Sequence, residues 1–446
     1  MLQAGFDQLK AGRFADARQV AEGRLETHPD DPRALYLRGL ADWNLGERAA
    51  AVTAIERAVE IGGEGLGGWL RDLCEMCRVQ GRLDEALAHG LRAVALDPGD
   101  IDALYNLGIV QQDVGQIAEA IITLRRTIAL KPDHAGAHFE LAEALLLDGD
   151  FKPGWEEYEW RFRMPSTPPP MPPTQAPLWE GQPMPKGRLL LVGDQGFGDV
   201  LQFMRYIPRA AARCGELVIA CSEEMDPFVA QVSGAARRFR LWREAPAFDA
   251  YTTLSGLPRL FDANLKTIPA NVPYLRAEPA RLAHWRARLQ AMTPLGHRRI
   301  GVVWAGRPTH GNDRNRSITL RQLAPLANLK QTVLVSMQKG EAAGQIGSYY
   351  GGAPLLNLGP EIGDFADTAA IIQNLDLVVS VDTSVAHLSG ALGQRTLVLL
   401  PFTPDWRWLR ERTDSPWYPT LKLYRQSRPG AWDEPIARLA ADLGRR

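Results

Sequence analysis

The chain has 446 residues, which at about 150 residues per domain predicts roughly three globular units. Apolar residues make up 45% of the sequence and charged residues 23%, as in ordinary globular proteins, so a wholly disordered chain, a collagen and a disulfide miniprotein are excluded. The 51 Lys and Arg residues almost balance the 52 Asp and Glu residues, so charge alone predicts no nucleic-acid partner and no anionic membrane partner.

Targeting and redox features point to a cytoplasmic protein. Residues 1–10 are polar and contain an acid, unlike a secretory signal, and no window reaches the roughly 18 apolar residues of a membrane span. Four cysteines in a chain of this length form no disulfide framework. Cys74 and Cys77 spell C-x-x-C, which leaves two interpretations: two packed thiols, or a metal or redox pair that lacks the second ligand pair of a zinc site.

Small residues recur along the first third of the chain at a period of 34 or 35 residues. The glycines of this series are Gly12, Gly46, Gly81, Gly115 and Gly149, and the small residues five positions later are Ala17, Ala51, Ala86, Ala120 and Gly154. Glycine permits a tight turn between two helices, and a small residue in the second helix lets the pair approach closely. This period is similar to that of the tetratricopeptide repeat (TPR), a helix–turn–helix unit.

The repeats predict an all-α TPR superhelix over residues 1–162, in about five units that bury their apolar faces against their neighbours. The predicted units are 1–27, 31–61, 66–96, 100–130 and 134–162. Such an array has a concave groove, which we expect to bind a protein partner. A dimerisation or spacer role is the alternative.

A proline-rich linker is predicted at residues 163–187, which contain nine prolines. Proline favours the extended polyproline II conformation, so this linker is expected to be a semi-rigid spacer. Trp179 within it predicts that part of the segment packs onto the following domain. Use of the prolines as an SH3-type ligand is the alternative.

Beyond the linker, strand-like and helix-like segments alternate, which predicts an α/β region with parallel sheets. Because the pattern restarts, we expect two Rossmann-like lobes: an N-terminal lobe at 188–293 and a C-terminal lobe at 299–446 that ends in a closing helix. Ligands of such folds lie outside the carboxyl ends of the strands, here in the cleft between the lobes.

The first motif in this region is GDQGFGD at residues 193–199, a glycine-rich turn from a strand into a helix. It matches neither the ATPase P-loop nor the complete dinucleotide-binding fingerprint. Gly196 and Gly198 allow a ligand to approach the backbone closely. Asp199 lies near the helix start, where the helix dipole keeps a carboxylate ionised, as a general base requires. The alternative is that Asp199 only caps the helix.

The second motif is VSVDTSVAHL at residues 379–388, where a buried strand ends and a helix begins. Thr383, Ser384 and the exposed backbone N–H groups of the first turn form a typical anion site, which the helix dipole reinforces. His387 falls one turn into the helix, where its imidazole would meet a bound phosphate. The alternative is that Asp382 or Ser384 caps the helix and that His387 is a packed core residue.

Two further polar segments follow predicted strands. The segment SMQKG at 336–340 contains Gln338 and Lys339, and this lysine would neutralise a phosphate unless it is an ordinary surface residue. The loop WAGRPTHGNDRNRS at 304–317 contains His310, Asn312 and Arg316. Long polar loops of this kind carry function more often than scaffold.

These motifs resemble known families. The GDVL turn at 198–201 and the Asp382-Thr383-x-x-x-His387 segment resemble the heptosyltransferase-like branch of the GT-B glycosyltransferases. The W-x-G…H-x-N-D…R-S loop and the S-x-Q-K-G segment resemble the TPR-linked members of that group. With repeats in front, the layout also resembles the protein O-GlcNAc transferases and the TPR-containing flagellin glycosyltransferases of bacteria. The resemblance covers essentially the whole chain and implies a GT-B fold.

The resemblance also implies roles for individual residues. Asp199 is implied to be the catalytic base. The residues expected to bind the sugar-nucleotide donor are Lys339, Gln338, Asp382, Thr383, Ser384, His387 and Arg316. Those expected in the loops of the site are Gly196, Gly198, His310 and Asn312. Within the donor site, the helix start would hold the diphosphate and Lys339 would neutralise the leaving phosphate.

We predict no metal and no cofactor. Metal-dependent transferases of the other large fold usually show D-x-D after a strand, whereas the D-x-D strings here, Asp100–Asp102 and Asp148–Asp150, lie in the repeats. Together with the single well-placed carboxylate, the resemblance predicts an inverting, metal-independent glycosyltransferase with a nucleotide-sugar as donor substrate.

The repeats suggest the acceptor. A polypeptide gains from an extended docking groove, so we expect transfer to Ser or Thr of a protein, flagellin being the acceptor that the resemblance suggests. The alternatives are transfer to a lipopolysaccharide or another glycan, and a non-catalytic TPR/GT-B scaffold. The sequence leaves the sugar, the nucleotide and the oligomeric state open, and it is compatible with a homo-oligomer.

Overall fold

The computed structural model of the chain describes residues 2–165, 167–234 and 236–445; the outermost residues of the predicted first and last domains, 1 and 446, lie outside this description. The chain divides into two compact units, residues 1–144 and 145–446. The regular elements of the first unit within the described residues are all helices, and parallel sheets dominate the second unit, as the sequence predicts.

The first unit consists of helix pairs joined by short turns. Its helices are α1 (Leu2–Lys10), α2 (Phe14–Leu25), α3 (Pro32–Asn44), α4 (Arg48–Ile61), α5 (Leu66–Gln80), α6 (Leu83–Leu96), α7 (Ile101–Asp113) and α8 (Ile117–Leu130). Helix α9 (Ala135–Asp148) contains the division between the units, and α10 (Phe151–Tyr158) lies in the second unit.

The periodic small residues do what the repeat pattern predicts. All five periodic glycines adopt positive φ, between 74° and 90°, a conformation that side chains with a Cβ atom rarely adopt. The four periodic alanines are completely buried between helices. At Gly154 an added Cβ would come within 2.8 Å of the Leu146 side chain, which would have to shift to make room for it.

The backbone conformation, not space, should decide the effect of substitution at a turn glycine. Gly115 has φ +79° and nothing within 4 Å of an added Cβ, so Gly115→Ala should destabilise the chain by about 1–2 kcal/mol. Gly23 lies exposed inside α2 with equally open surroundings, so Gly23→Ala should stabilise by about 0.5–1 kcal/mol. Urea unfolding followed by circular dichroism measures both; the same sign for the two variants would contradict this explanation.

After α10 and a 3₁₀ turn (Glu159–Arg163), an extended segment leads into the first sheet. Trp179 in this segment is fully buried, its backbone N–H donates to the Tyr251 carbonyl at 2.7 Å, and its ring packs against Phe261. The prediction that the segment packs onto the following domain is therefore confirmed. The first strand begins at Met184, inside the predicted linker.

The N-terminal lobe holds a parallel sheet of four strands. Its elements are β1 (Met184–Val192), α11 (Phe197–Phe203), α12 (Ile207–Ala211), β2 (Cys214–Ala220), α13 (Asp226–Val232), β3 (Arg237–Phe239), β4 (Ala250–Thr253), α14 (Leu257–Leu260) and α15 (Pro279–Met292). The strand order is β3-β2-β1-β4. The chain therefore runs outward from β1 and returns to its other side, which makes the end of β1 a topological switch point.

The C-terminal lobe holds a parallel sheet of six strands in the order β10-β9-β8-β5-β6-β7. Its elements are β5 (Arg298–Val303), α16 (Asp313–Arg316), β6 (Thr332–Ser336), β7 (Leu355–Asn357), α17 (Phe365–Ile372), β8 (Leu377–Val381), α18 (Ser384–Ala391), β9 (Thr396–Leu400), β10 (Leu421–Arg425) and α19 (Asp433–Gly444). This is the doubly wound order, whose switch point lies between β5 and β8. Buried aliphatic residues of β5, β8 and β9 form the core of the lobe.

Helix α15 is the last element of the predicted N-terminal lobe. In the structure it packs against α17 of the C-terminal lobe. The indole N–H of Trp285 donates to Asp367 at 3.1 Å, and Arg281 donates to the same carboxylate at 2.7 Å. The predicted domain bounds remain predictions.

Among the described residues, no helix is both long and apolar enough to cross a membrane.

Candidate functional site

A cavity of about 780 Å³ is lined by residues of both lobes of the second unit. The loops that follow β5, β6 and β8 form one wall, and the start of α11 forms the other. Both switch points thus open into the same space. Ligands of doubly wound folds bind at this kind of position, because the loops diverge there and expose backbone groups.

The cavity brings together nearly all of the predicted site residues. Its lining includes Gly196, Gly198, Asp199, His310, Arg316, Gln338, Lys339, Asp382, Thr383, Ser384 and His387. Asn312 is outside this set: its side-chain oxygen accepts a hydrogen bond from Asn315 at 2.7 Å, and its backbone N–H donates to His310. Asn312 thus shapes the loop and does not face the cavity.

Helices α11 and α18 meet where the two lobes join. A Cβ added to Gly198 would lie 3.0 Å from the His387 ring and 3.6 Å from the Ser384 Cα atom, so glycine permits this close approach. Helix α11 begins at Phe197 after the N-cap residue Gly196, and Asp199 is its third residue. Asp199 is thus not the N-cap residue itself, but its carboxylate accepts hydrogen bonds from the backbone N–H groups of Gly196 and of Asp199, so its role as a helix cap remains an alternative.

Arg407 connects the Asp199 carboxylate to the other lobe. Its Nη2 donates to Asp199 Oδ1, and its Nη1 donates to both carboxylate oxygens of Asp405 at 2.8 Å. Its Nε donates to Gln202 Oε1 at 2.7 Å. The guanidinium is buried, and a buried charge of this kind is stable only when its donors are paired.

Asp405 and Arg407 also line the cavity, and the sequence interpretation missed both. They lie in the segment after β9, the strand next to β8 in the sheet. The available signal was a pair of charged residues shortly after a strongly apolar strand. The strand order, which the sequence does not reveal, is what brings this segment beside the second motif.

The pKa values of the two carboxylates that flank Arg407 are shifted in opposite directions. Burial raises the pKa of Asp199 above its usual value, against the opposing charge of Arg407. Burial acts in the same direction on Asp405, but the charge and hydrogen bonds of Arg407 outweigh it and lower the pKa of Asp405. Asp199 is therefore the carboxylate of the pair better able to accept a proton.

His387 is neutral. Burial, reinforced by the charge of Arg407, lowers its pKa to about 3. Its Nδ1 lies 3.0 Å from the Tyr418 hydroxyl, and its ring stacks on Trp408 at a centroid distance of 5.3 Å. The packed-histidine alternative thus describes this residue, and it offers a ligand a hydrogen bond rather than a positive charge.

The start of α18 has no side-chain cap. Thr383 is the N-cap residue, but its side chain makes no capping hydrogen bond, and its hydroxyl lies 3.2 Å from that of Ser380. The alternative that Asp382 or Ser384 caps the helix is therefore wrong. Thr383, Ser384 and Val385 line the cavity, so the positive end of the helix dipole faces a space where an anion fits.

The loop after β6 contributes a structural amide and an exposed amine. Gln338 Oε1 accepts from the backbone N–H groups of Trp304 and Ala305 at 3.0 Å, and its Nε2 donates to the carbonyls of Ala305 and Lys339. This side chain is fully used in joining two loops. Lys339 is exposed at the cavity, and its Nζ donates to the carbonyl of Ile362.

Two positive charges, those of Arg316 and Arg407, lie near Asp382. Arg316 lies beside Asp313 at 3.4 Å, and its charge lowers the pKa of Asp382 in opposition to burial. Burial and the nearby charge of Asp405 prevail and raise the pKa of Asp382 to about 6. Burial lowers the pKa of His310, which the charge of Arg316 lowers further.

The C-x-x-C pair lies in the first unit. Cys74 and Cys77 are completely buried, and burial raises their pKa values to about 12 and about 11. Cys77 has Glu56 and His89 close by, but Glu56 already accepts a hydrogen bond from Arg82 at 2.6 Å. These observations favour packed thiols.

Comparisons with known proteins identify the repeats. The family model described as "Tetratricopeptide repeat" matches residues 2–65 and 105–152, and one described as "TPR repeat" matches 75–115. The N-terminal part of the chain is therefore a TPR array.

The chain is also similar to Protein FlbA of Caulobacter vibrioides, with 24% identity over 458 residues that cover 96% of this chain and 75% of FlbA. The solved structures similar to it include MamA, with 21% identity, 35% of this chain and 91% of that chain covered, and a TM-score of 0.33. Another is YrrB, a TPR protein with an unusual peptide-binding site, with 18% identity, 36% and 83% covered, and a TM-score of 0.34.

Removal of Arg407 should destabilise the second unit far more than removal of a surface arginine nearby. Arg407→Met leaves the carboxylates of Asp199 and Asp405 without their cation, at a cost of about 3–5 kcal/mol. Arg410 makes an exposed ion pair with Asp148 at 3.0 Å, so Arg410→Met should cost less than about 1 kcal/mol. Denaturant unfolding of the two variants measures the difference, and equal costs would contradict the buried-pair description.

Asp382 should make stability depend on pH. Its folded pKa of about 6 exceeds the ordinary value of 3.8, so its protonated form stabilises the fold; this contribution is complete below about pH 4 and is lost as the pH rises through 6. Asp382→Asn should therefore match the wild type near pH 4 and exceed its stability above pH 6. Unfolding free energies across this range test the expectation, with Asp414→Asn at an exposed site as control. A pH-independent difference for Asp382→Asn would refute it.

Proposed function

We propose that the second unit is an inverting, metal-independent glycosyltransferase with a nucleotide-sugar donor, and that the TPR array docks a protein whose Ser or Thr hydroxyl is the acceptor. The observation that supports this best is the common cavity of Asp199, from the N-terminal lobe, and the uncapped start of α18, from the C-terminal lobe. One offers a proton acceptor and the other an anion site, the two components that glycosyl transfer needs.

The donor's diphosphate would lie at the start of α18. The backbone N–H groups of its first turn and the hydroxyl of Ser384 can donate hydrogen bonds, while Lys339 and Arg316 supply positive charge from neighbouring loops. These groups are held in place before the reaction, so they would stabilise the negative charge that develops on the departing phosphate. Neutral His387 adds a hydrogen-bonding group there without adding charge.

The acceptor would react from the side of Asp199. Its hydroxyl oxygen forms a bond to the anomeric carbon, the bond from that carbon to the phosphate oxygen breaks, and the nucleoside diphosphate leaves. The hydroxyl proton passes to Asp199, whose raised pKa suits a proton acceptor. Arg407 keeps its bidentate contact with Asp405 when Asp199 becomes neutral, so the buried guanidinium stays paired. A single displacement of this kind inverts the anomeric configuration.

The acceptor class is inferred from the repeats. TPR arrays carry no chemistry of their own and offer a groove for other polypeptides. A protein acceptor is therefore the proposed substrate, and flagellin remains the acceptor that the resemblance suggests.

A protein-interaction scaffold is the second candidate, and one contact favours it. In the structure the proposed base Asp199 is already bound by Arg407, as expected of a carboxylate with only a structural role. In that case the chain would bind partners through its repeats and transfer no sugar.

The exchange Asp199→Asn separates the two candidates. An enzyme should lose about 10²–10⁴-fold in the rate of sugar transfer, the usual size of a general-base contribution, while its affinity for nucleoside diphosphates stays nearly unchanged. Transfer of radiolabelled sugar from UDP-, GDP- and CMP-linked donors to protein measures the first quantity. Thermal shift with UDP, GDP and ADP measures the second.

Two controls complete this test. Asp414→Asn makes the same exchange at an exposed carboxylate and should leave transfer unchanged. Lys339→Ala should weaken nucleoside diphosphate binding without removing the base. Full transfer by Asp199→Asn would exclude Asp199 as the base, and a wild-type protein that transfers no sugar and binds none of the nucleotides would support the scaffold.

A further inference from the structure

The segment that joins the last repeat helix to the proline-rich stretch is built into the candidate site. Helix α10 and the 3₁₀ turn Glu159–Arg163 contact both the loop that carries Asp199 and the segment that carries Arg407. From sequence this stretch is the end of the repeats, because it follows the last periodic glycine. In the structure it belongs to the second unit.

Arg161 is the centre of these contacts and is only 3% exposed. Its Nη2 donates to Ser255 Oγ at 2.6 Å and to Thr253 Oγ1 at 3.2 Å, at the end of β4. Its Nη1 donates to the Tyr158 carbonyl at 2.7 Å. Its Nε lies 3.9 Å from Asp194, whose side chain is 1% exposed.

Asp194 belongs to the turn that leads from β1 to Asp199. Its Oδ1 accepts the backbone N–H of Ser255 at 3.1 Å, and its Oδ2 accepts the Ser255 hydroxyl. A buried carboxylate in this place is costly unless a cation compensates it, and Arg161 is the cation beside it. The turn that places Asp199 is thus fixed through Ser255 and a buried ion pair.

Tyr158 attaches the same segment both to the turn before Asp199 and to the segment that carries Arg407. Its hydroxyl exchanges hydrogen bonds with the Gln195 side chain at 3.0–3.2 Å, next to Asp194 in the turn. Its ring packs edge-on against Trp406 at 6.1 Å, next to Arg407. Trp155 of the same helix packs edge-on against Trp406 at 5.1 Å. One short segment therefore holds both partners of the Asp199–Arg407 ion pair.

We propose that Arg161 is a positioning residue for the transfer reaction, which fixes the turn at residues 193–196 and with it the carboxylate of Asp199. Arg161 touches neither the donor site nor the reacting atoms, and it acts through Asp194 and Ser255. The proposal rests on the proposed function for its catalytic consequence, whereas its structural claim, that Arg161 fixes the turn, is independent of that function.

The test uses the full chain with three substitutions at one pair. Arg161→Met removes the cation from Asp194 and from the partly exposed Glu159, which Arg161 also binds at 3.0 Å, whereas Arg161→Lys keeps the charge. The double variant Arg161→Met with Asp194→Asn also removes the charge of Asp194 and keeps the size of its side chain. Arg163→Met is the matched control, because Arg163 lies in the same turn, is exposed and stacks on Trp160 at 4.2 Å.

Two readouts separate positioning from a general loss of stability. Hydrogen–deuterium exchange should speed up in peptides covering residues 193–203 of Arg161→Met, with little change in peptides covering 377–391. In the transfer assay, kcat should fall about 10²-fold, the typical effect of misplacing a reacting group by about 1 Å, while KM for the donor stays within about twofold. Arg161→Lys should recover part of this loss, and the double variant most of it.

Each outcome decides between the alternatives. Unchanged exchange at 193–203 in Arg161→Met, or a loss of kcat no larger than in Arg163→Met, would overturn the proposal. Faster exchange across the whole second unit, with kcat per folded molecule unchanged, would assign Arg161 to stability alone. If the wild type transfers no sugar from any donor, the proposed function fails, and the exchange experiment still decides whether Arg161 fixes the turn.

Discussion

The buried guanidinium of Arg407 is the contact on which the arrangement of the two lobes depends. It comes from the C-terminal lobe and needs partners for all its donors, and it finds them in Asp405 beside it and in Asp199 and Gln202 across the boundary. Each of these donors would be costly to leave unpaired in a buried place. The two lobes satisfy this charge by placing α11 against the segment that carries Arg407, and glycine at position 198 lets α11 also approach α18 closely.

The contacts of Arg407 also give Asp199 and Asp405 different roles in the site. Nη1 of Arg407 donates to both carboxylate oxygens of Asp405, and Nη2 donates to Asp199. Asp405 therefore remains the stable counter-ion, and Asp199 is the carboxylate with the raised pKa. A positive charge on His387 would lie beside Arg407, and burial prevents it. The charge available for a bound anion thus comes from Lys339, Arg316 and the start of α18, which line the same cavity.

Much of the fold could be predicted from the sequence, because its signals are local. A periodic glycine has positive φ at each predicted turn, and the motifs at 193–199 and 382–387 follow strand ends as expected. The missed residues depend on information that is not local. Arg407 comes close to Asp199 only through the strand order of the second sheet, and the neutral state of His387 follows from its burial and from the charge of Arg407. The sequence predicts Asn312 as a site residue because it lies in a polar loop. Composition does not tell which side chains of that loop bind each other, as Asn312 and Asn315 do.

The end of the repeat array shows why sequence periodicity misplaces a structural boundary. Gly149 and Gly154 continue the repeat pattern. Gly154 lies in helix α10 and packs closely against Leu146, as the pattern predicts. Yet Trp155, Tyr158 and Arg161 of this last helical stretch are buried against the lobes of the second unit. A terminal repeat has one face with no next repeat to cover it. In this chain that face is covered by the turn before Asp199 and the segment before Arg407, so the last repeat helix contributes to the site more directly than the proline-rich segment that follows it.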